Sequence, residues 1–173
     1  MTITRLSGAN AITGTLPATN INDTSIGNIT ALPAGVGGKV LQVVTATDST
    51  ERTTTSTSFV TASNTLSVTI TPSSASNKIF LTASLSYQTP SGTVSFYLTL
   101  FRGATNLGNA TNGFGNVFDG SSYMCAHATP QILDSPNTTS ATTYQFYFRV
   151  DGGTGKINVN PSFSSITAYE IAG

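Results

Sequence analysis

The chain has 173 residues, a length that suits one domain of about 100–200 residues together with a terminal arm. Only 8% of its residues are charged, compared with roughly a quarter in typical soluble domains. Seven basic and seven acidic residues, scattered singly, leave no basic patch for nucleic acid, and no apolar run reaches the roughly 20 residues of a membrane span. The composition favours a structural or binding protein inside a larger assembly over a free enzyme.

Residues 1–38 differ from the rest of the chain and predict an extended N-terminal anchoring arm. Apolar residues recur among Gly, Asn and Thr, while Pro17 and Pro33 exclude a long helix. Such regularly spaced apolar side chains need a surface on another protein, although a disordered leader is the alternative. The residues predicted to make this anchoring contact are Leu6, Ile12, Leu16, Ile21, Ile26, Ile29 and Leu32.

Residues 39–173 predict a β-sandwich head domain, because from Lys39 onward the apolar residues alternate with Thr, Ser and other polar residues. A Gly-rich run before Lys39 lacks the hydroxyl residue of a phosphate-binding loop and predicts a linker. The second face of the strand 94–101 is partly apolar and predicts a covered or intersubunit strand. The predicted strands, in chain order, cover residues 39–47, 53–62, 65–71, 79–87, 94–101, 123–129, 142–151, 156–160 and 163–171.

The remaining segments predict turns and loops. Residues 102–121 contain five glycines and form the longest irregular stretch, and Gly152–Gly155 predicts a hairpin turn. No segment has the pattern of an amphipathic helix. The sequence therefore predicts an all-β fold, a β-sandwich or jelly roll of about 8–10 antiparallel strands.

Catalytic chemistry has little support in the sequence. Cys125 and His127 share one face of a predicted strand, so a dyad is geometrically imaginable, but no orienting side chain is indicated and simple packing is the favoured interpretation. A zinc site needs about four ligands. The acidic residues fall mostly at predicted turns, where they bond nearby backbone amides. We therefore predict no catalytic residue, no metal, no cofactor and no enzymatic activity.

The loop around residues 103–123 contains the best candidates for ligand contact. Amide donors and aromatic faces suit sugars and flat polar surfaces. The alternative is that the asparagines and glycines only form turns while the aromatic side chains anchor the loop in the core. The candidate contact residues are Asn109, Asn112, Phe114, Asn116, Phe118 and Tyr123.

Several segments resemble virion structural proteins of bacteriophages, those of marine and cyanobacterial phages especially. In the head these are residues 38–44 (GKVLQVV), 55–60 (TSTSFV), 66–79 (LSVTITPSSASNKI) and 165–172 (SITAYEIA). In the arm, residues 10–18 (NAITGTLPA) and 26–34 (IGNITALPA) resemble segments that precede such modules in tail-fibre and head-fibre proteins. The resemblance is good over residues 9–88, moderate over 163–172 and weak between them.

The resemblance implies a homotrimer with jelly-roll-like heads, located in the virion after synthesis in the host cytoplasm. It implies a tail-fibre or receptor-binding component whose arm binds other virion proteins and whose head loops contact a host surface glycan or protein. Phage tail fibres are often several hundred residues long, so this chain is expected to be either a minimal fibre tip or a decorating protein. The alternative function is therefore a capsid decoration or head-fibre protein without receptor recognition. No nucleic acid or membrane insertion is expected.

Overall fold

The computed structural model describes residues 39–120, 122–160 and 162–173. The predicted arm at 1–38, with its anchoring residues from Leu6 to Leu32, lies outside them. The described residues form thirteen strands and no α-helix, and the strands pair antiparallel in two sheets. This confirms the predicted all-β sandwich. In this part of the chain there is also no helix long and apolar enough to cross a membrane.

Seven strands form the larger sheet and six form the smaller sheet. The strands of the larger sheet are β1 (Val40–Asp48), β2 (Arg52–Thr54), β5 (Lys78–Gln88), β9 (Cys125–Ala128), β10 (Gln131–Asp134), β12 (Gly155–Ile157) and β13 (Ser164–Ile171). The strands of the smaller sheet are β3 (Val60–Thr61), β4 (Ser67–Ile70), β6 (Val94–Arg102), β7 (Thr105–Asn106), β8 (Gly115–Asp119) and β11 (Thr142–Val150). Four of the thirteen have only two or three residues, so the nine longer strands match the predicted number.

Each sheet is organised around long central strands. In the larger sheet, β5 pairs with β13 and then β12 along one edge, and with β10 and then β9 along the other. In the smaller sheet, β11 and β6 pair over seven residues, from Tyr144↔Arg102 to Val150↔Phe96. Strands β3 and β4 both pair with the other edge of β11, and β7 and β8 both pair with the other edge of β6. Two strands therefore lie end to end along each edge of β5. The same arrangement is found along one edge of β11 and along one edge of β6.

The core lies between the inner faces of the two sheets. The predicted inward residues of β5 and β11 are buried, because alternate side chains of a strand point to the same face. Tyr87 of the larger sheet stacks on Phe96 of the smaller sheet with 5.0 Å between ring centroids. The largest fully buried side chains are Tyr144, Phe96, Phe146, Phe148, Leu66, Ile70, Ile79, Leu81, Leu85, Leu100, Ile157 and Ile166.

The predicted strand at 53–62 is interrupted in the structure. Thr54 Oγ1 accepts a hydrogen bond from the Ser56 amide, and Ser56 Oγ accepts one from the Ser58 amide. Hydroxyl side chains that bond the backbone two residues on replace strand pairing with turns. The segment therefore divides into β2, in the larger sheet, and β3, in the smaller sheet.

The prediction of a hairpin at Gly152–Gly155 is wrong. The turn connects β11 to β12, which lie in different sheets, so it crosses the sandwich instead of joining paired strands. A Cβ at Gly155 would lie 2.8 Å from the Phe96 ring, so the crossing needs glycine there. The irregular stretch 102–121 also contains two strands, β7 and β8, and β10 was not predicted at all.

Candidate functional site

The tip of the loop between β7 and β8 is folded by the asparagines themselves. Asn109 Oδ1 accepts hydrogen bonds from the backbone amides of Thr111 and Asn112, at 2.9 and 3.0 Å. The backbones of Asn109 and Gly113 exchange two further hydrogen bonds. Gly113 has a φ of +63°, and a Cβ there would overlap the carbonyl oxygen of Leu98 on β6. The side chain of Asn109 therefore shapes the loop, and Asn112 lies exposed at its tip.

Phe114 and Asn116 come together in a cleft between the edges of the two sheets. The cleft has a volume of about 270 Å³. Phe114 is partly buried and also packs against the core. The other lining residues are Leu98, Gly115, Val117, Ala128, Thr129 and Pro130. This cleft is mainly apolar and smaller than most small-molecule sites, which have volumes of roughly 300–1,000 Å³.

Phe118 and Tyr123 are exposed, at 57% and 63% of their surfaces. On β8, Asn116 lies opposite Tyr97 and Phe118 lies opposite Ser95, so both belong to the outer face of the smaller sheet. Five of the six candidate residues are thus distributed over a loop tip, an edge cleft and an exposed sheet face, and Tyr123 lies in the segment between β8 and β9. Their role in ligand contact stays a prediction.

The outer face of the smaller sheet carries an aromatic cluster around Arg149, which we call the Arg149 cluster. Its members are Phe59, Tyr97, Phe101, Tyr147 and Arg149. The rings of Phe101 and Tyr147 stack with 4.0 Å between centroids, and Phe59 packs edge-on to Phe101 at 6.4 Å. The guanidinium carbon of Arg149 lies 3.7 Å from the Tyr97 ring centroid and 5.4 Å from that of Phe59. Residues of the chain itself therefore cover the apolar second face of β6, for which the sequence predicted either a covered or an intersubunit strand.

Sequence reasoning did not identify the Arg149 cluster as a candidate site. A signal was present in the spacing of these residues. Tyr97 and Phe101 of β6 are an even number of positions apart, as are Tyr147 and Arg149 of β11, so each pair shares the face opposite the core. The register Arg149↔Tyr97, which brings cation and ring together, depends on the pairing of β11 with β6, two strands that are far apart in the chain. Spacing within one strand does not reveal it.

Cys125 and His127 both lie exposed on β9 but bond to different neighbours. The Sγ atom of Cys125 lies 3.5 Å from Gln88 Nε2, and His127 Nδ1 lies 3.2 Å from Ser84 Oγ. Both partners belong to β5. The strand geometry predicted their shared face correctly, and each side chain has a neighbour on the adjacent strand.

The buried carboxylates of Asp48 and Asp134 are held by hydrogen bonds within the fold. Asp134 accepts hydrogen bonds from Arg102 Nη1 at 2.9 Å and from the Tyr144 hydroxyl at 2.7 Å, across the two sheets. Burial, and then the hydrogen bond to Asp134, raise the pKa of Tyr144 above its ordinary value. For Asp48, burial acts to raise the pKa, but hydrogen bonds from Ser63 and Thr50 outweigh it and leave the pKa lowered. These carboxylates have structural partners.

Comparisons with known proteins give a distant structural similarity. No protein-family model matches the chain, and no curated protein matches it. Among solved structures, a chain in the structure of infectious bursal disease virus, Gx strain, is similar with a TM-score of 0.39 and 13% sequence identity. The similarity covers 76% of this chain and 37% of the viral chain, so this chain spans about a third of the other's length.

Proposed function

We propose that this chain is a bacteriophage virion structural protein, a homotrimeric tail-fibre or receptor-binding component with an N-terminal anchoring arm. The sequence resemblance to phage virion modules suggests this role, and the described head gives it a physical basis. A β-sandwich has two outer faces that point in opposite directions. One face supports assembly of the subunits, and the other is open to a ligand.

The observation that carries the proposal is a row of apolar side chains across the outer face of the larger sheet. Leu133 lies opposite Phe80, Phe80 opposite Tyr169, and Tyr169 opposite Val43, so the row crosses four neighbouring strands. At a strand spacing of about 4.8 Å, it extends over roughly 14 Å. We call these four residues the apolar row.

The apolar row is open to contact with another molecule. Leu133 and Val43, at its two ends, are 57% and 53% exposed, and Val40 on the same face is 50% exposed. The rings of Phe80 and Tyr169 pack at 6.1 Å between them. Exposed apolar patches mark interaction surfaces, and few charges surround this one to oppose contact between identical copies. We assign the row to contacts between subunits of the trimer.

The first experiment is location of the protein in the virion. Antibody raised against residues 39–173 and detected with gold on purified particles is expected to label the tail. Labelling of the head would instead establish the decoration or head-fibre function, and particles without label would refute both. Deletion of residues 1–38 is expected to give a folded head that no longer enters particles, whereas normal incorporation would refute the anchoring role.

The second experiment tests the trimer and the apolar row. Mass-resolved chromatography of the full chain at micromolar concentration is expected to give a trimer that Leu133→Asp converts to monomer. The matched control is Gln131→Asp, which adds the same charge two residues away on the same face of β10. A wild-type monomer would refute the trimer, and a trimeric Leu133→Asp variant would refute the assignment of the row.

A further inference from the structure

Arg149 makes several contacts on the outer face of the smaller sheet. Its guanidinium plane covers the Tyr97 ring, and the Tyr97 hydroxyl donates in turn to Asp151 Oδ2 at 3.2 Å. The Asp151 carboxylate also accepts a hydrogen bond from the Ser95 amide. A long side chain fixed in this way loses little further entropy when a ligand binds to it.

The donors of Arg149 are only partly used. Nε and Nη2 both donate to the carbonyl oxygen of Thr111, at 3.2 and 2.6 Å, and Nη1 reaches the carbonyl oxygen of Thr57 at 3.4 Å. A guanidinium has five N–H groups, so two have no acceptor within hydrogen-bond distance among the described residues. Since Thr111 occupies the Nε side, the Nη1–Nη2 end is the more available.

Arg149 also has no carboxylate partner in the described part of the chain. Arg102 pairs with Asp134 and Lys156 pairs with Glu51, at 2.9 and 3.1 Å. Arg52 pairs in the same way with Asp48. The chain thus pairs the other arginines of its described residues with carboxylates, whereas Arg149 donates to backbone carbonyl oxygens.

A cleft of about 400 Å³ opens at Arg149, between the turn 57–59 and the loop tip at 110–111. Besides Arg149, its lining residues include Phe59 and three residues with hydroxyl side chains, Thr57, Ser58 and Thr111. None of these hydroxyls makes a hydrogen bond to another of the residues that the structure describes. The volume falls within the roughly 300–1,000 Å³ of small-molecule sites.

We propose that this cleft binds a saccharide unit that carries a carboxylate, such as a uronic acid. The planar N–H pair at the end of Arg149 matches a carboxylate, and a single cation balances a single negative charge. Saccharide hydroxyls match the three free hydroxyls of the cleft, and the apolar face of a sugar ring packs on Phe59. A phosphate, with its greater charge, is matched less well by one arginine.

This inference names the ligand class for the host contact of the proposed function and rests on that function for its biological meaning. Its test uses only the purified full chain, so failure to bind and failure to locate in the virion are separate results. The probe is a trimer of galacturonic acid, and the same trimer with its carboxylates methyl-esterified provides the uncharged control. Binding is measured by isothermal titration and by saturation-transfer NMR.

The acidic trimer is expected to bind saturably, and the methyl ester at least about tenfold more weakly, because charge-assisted hydrogen bonds are about twice as strong as neutral ones. Arg149→Gln is expected to lower the affinity for the acid by at least about tenfold. Lys156→Gln, which removes the same charge from the other sheet, is expected to leave the affinity unchanged. Equal binding of acid and ester, unchanged binding by Arg149→Gln, or no saturable binding by the wild type would overturn the proposal.

Arg149 also connects two loops, so Arg149→Gln can lower stability as well as affinity. Ala110→Glu avoids this, because it keeps Arg149 and introduces a competing carboxylate at the exposed edge of the cleft. It is expected to abolish binding of the acid at an unchanged melting temperature, and wild-type binding by this variant would overturn the proposal. Inorganic sulfate is expected to bind at least about tenfold more weakly than the acid. Equal binding would show an anion site without saccharide recognition and would overturn the assigned ligand class.

Discussion

Replacing Glu170 by glutamine removes the charge from a carboxylate that the fold buries on β13. Glu170 is only 2% exposed, and no lysine or arginine of the described residues lies within salt-bridge distance of it. Its Oε1 atom accepts three hydrogen bonds, from the Ser73 amide at 2.6 Å, the Ser73 hydroxyl at 2.7 Å and Asn77 Nδ2 at 2.7 Å. These bonds attach the turn between β4 and β5 to β13.

The same contacts fix the protonation state of Glu170. Burial acts to raise its pKa, but the hydrogen bonds from Asn77 and Ser73 outweigh burial and hold the pKa below its ordinary value of 4.5. A carboxyl group whose pKa is lower in the folded state stabilises the fold fully above its unfolded pKa. That contribution is lost as the pH falls below about 4.5 and through the lower folded pKa.

Glu170→Gln is therefore expected to lower the free energy of unfolding at pH 7 by about 2 kcal/mol. The shape and the acceptor oxygen are kept, but three bonds to a charged acceptor, each worth about 1.5–3 kcal/mol, become bonds to a neutral one, worth about 0.5–1.5 kcal/mol. The estimate is below the sum because the three bonds share one oxygen atom.

Urea denaturation at pH 7, 5, 4 and 3 measures this effect. The difference between wild type and Glu170→Gln is expected to be constant at pH 7 and 5 and to shrink at pH 4 and 3. Glu51→Gln is the matched control: its carboxylate is exposed and pairs with Lys156 at 3.1 Å, so it is expected to cost less than about 1 kcal/mol. A Glu170→Gln variant as stable as wild type at pH 7, or a difference that acidification leaves unchanged, would refute the reasoning.

Four further substitutions, one of them a control, test other parts of the structure by urea denaturation. Asp134→Ala is expected to cost about 2–4 kcal/mol, because it leaves the buried Tyr144 hydroxyl without its acceptor and removes the partner of the half-buried Arg102; a loss below about 1 kcal/mol would contradict this role. Gly113→Ala is expected to cost about 1–3 kcal/mol through its positive φ and its overlap with β6. Gly115→Ala, with open space around its Cβ position, should cost less than about 1 kcal/mol, and equal losses at both glycines would contradict the explanation. Phe96→Ala is expected to cost about 3–5 kcal/mol by leaving a cavity between the sheets, and a smaller loss would show that the core collapses around it.

The long strands could be predicted from the sequence because their signal is local. On β5 and β11, large apolar residues alternate with polar ones over nine or more positions, and the structure buries them as predicted. Strand β10 has four residues and only Ile132 and Asp134 turned inward, so no pattern distinguishes it from a loop. It is a strand because its backbone pairs with β5, which is a tertiary contact that spacing does not encode.

The candidate site was predicted less well than the fold, for a related reason. Asparagine is common both in ligand sites and in turns, and only the structure shows that Asn109 uses its side chain to fold the loop. Arg149 by itself was not distinctive, since one arginine on a strand is ordinary, and only the aromatic residues on the same faces of β6 and β11 gave a signal. Its position over Tyr97, beside Phe59, results from pairing of β11 with β6 and from the break between β2 and β3.

The scarcity of charge makes the state of each charged group informative. A chain that is 8% charged has few accidental ion pairs, and its described carboxylates at positions 48, 134 and 170 are each buried and hydrogen-bonded across elements of the fold. Against that background, an arginine fixed over an aromatic ring with two unused donors and an adjoining cleft is an exception. Arg52 and Arg102 each have a carboxylate partner within the fold, and the proposed acidic ligand would supply the corresponding partner to Arg149.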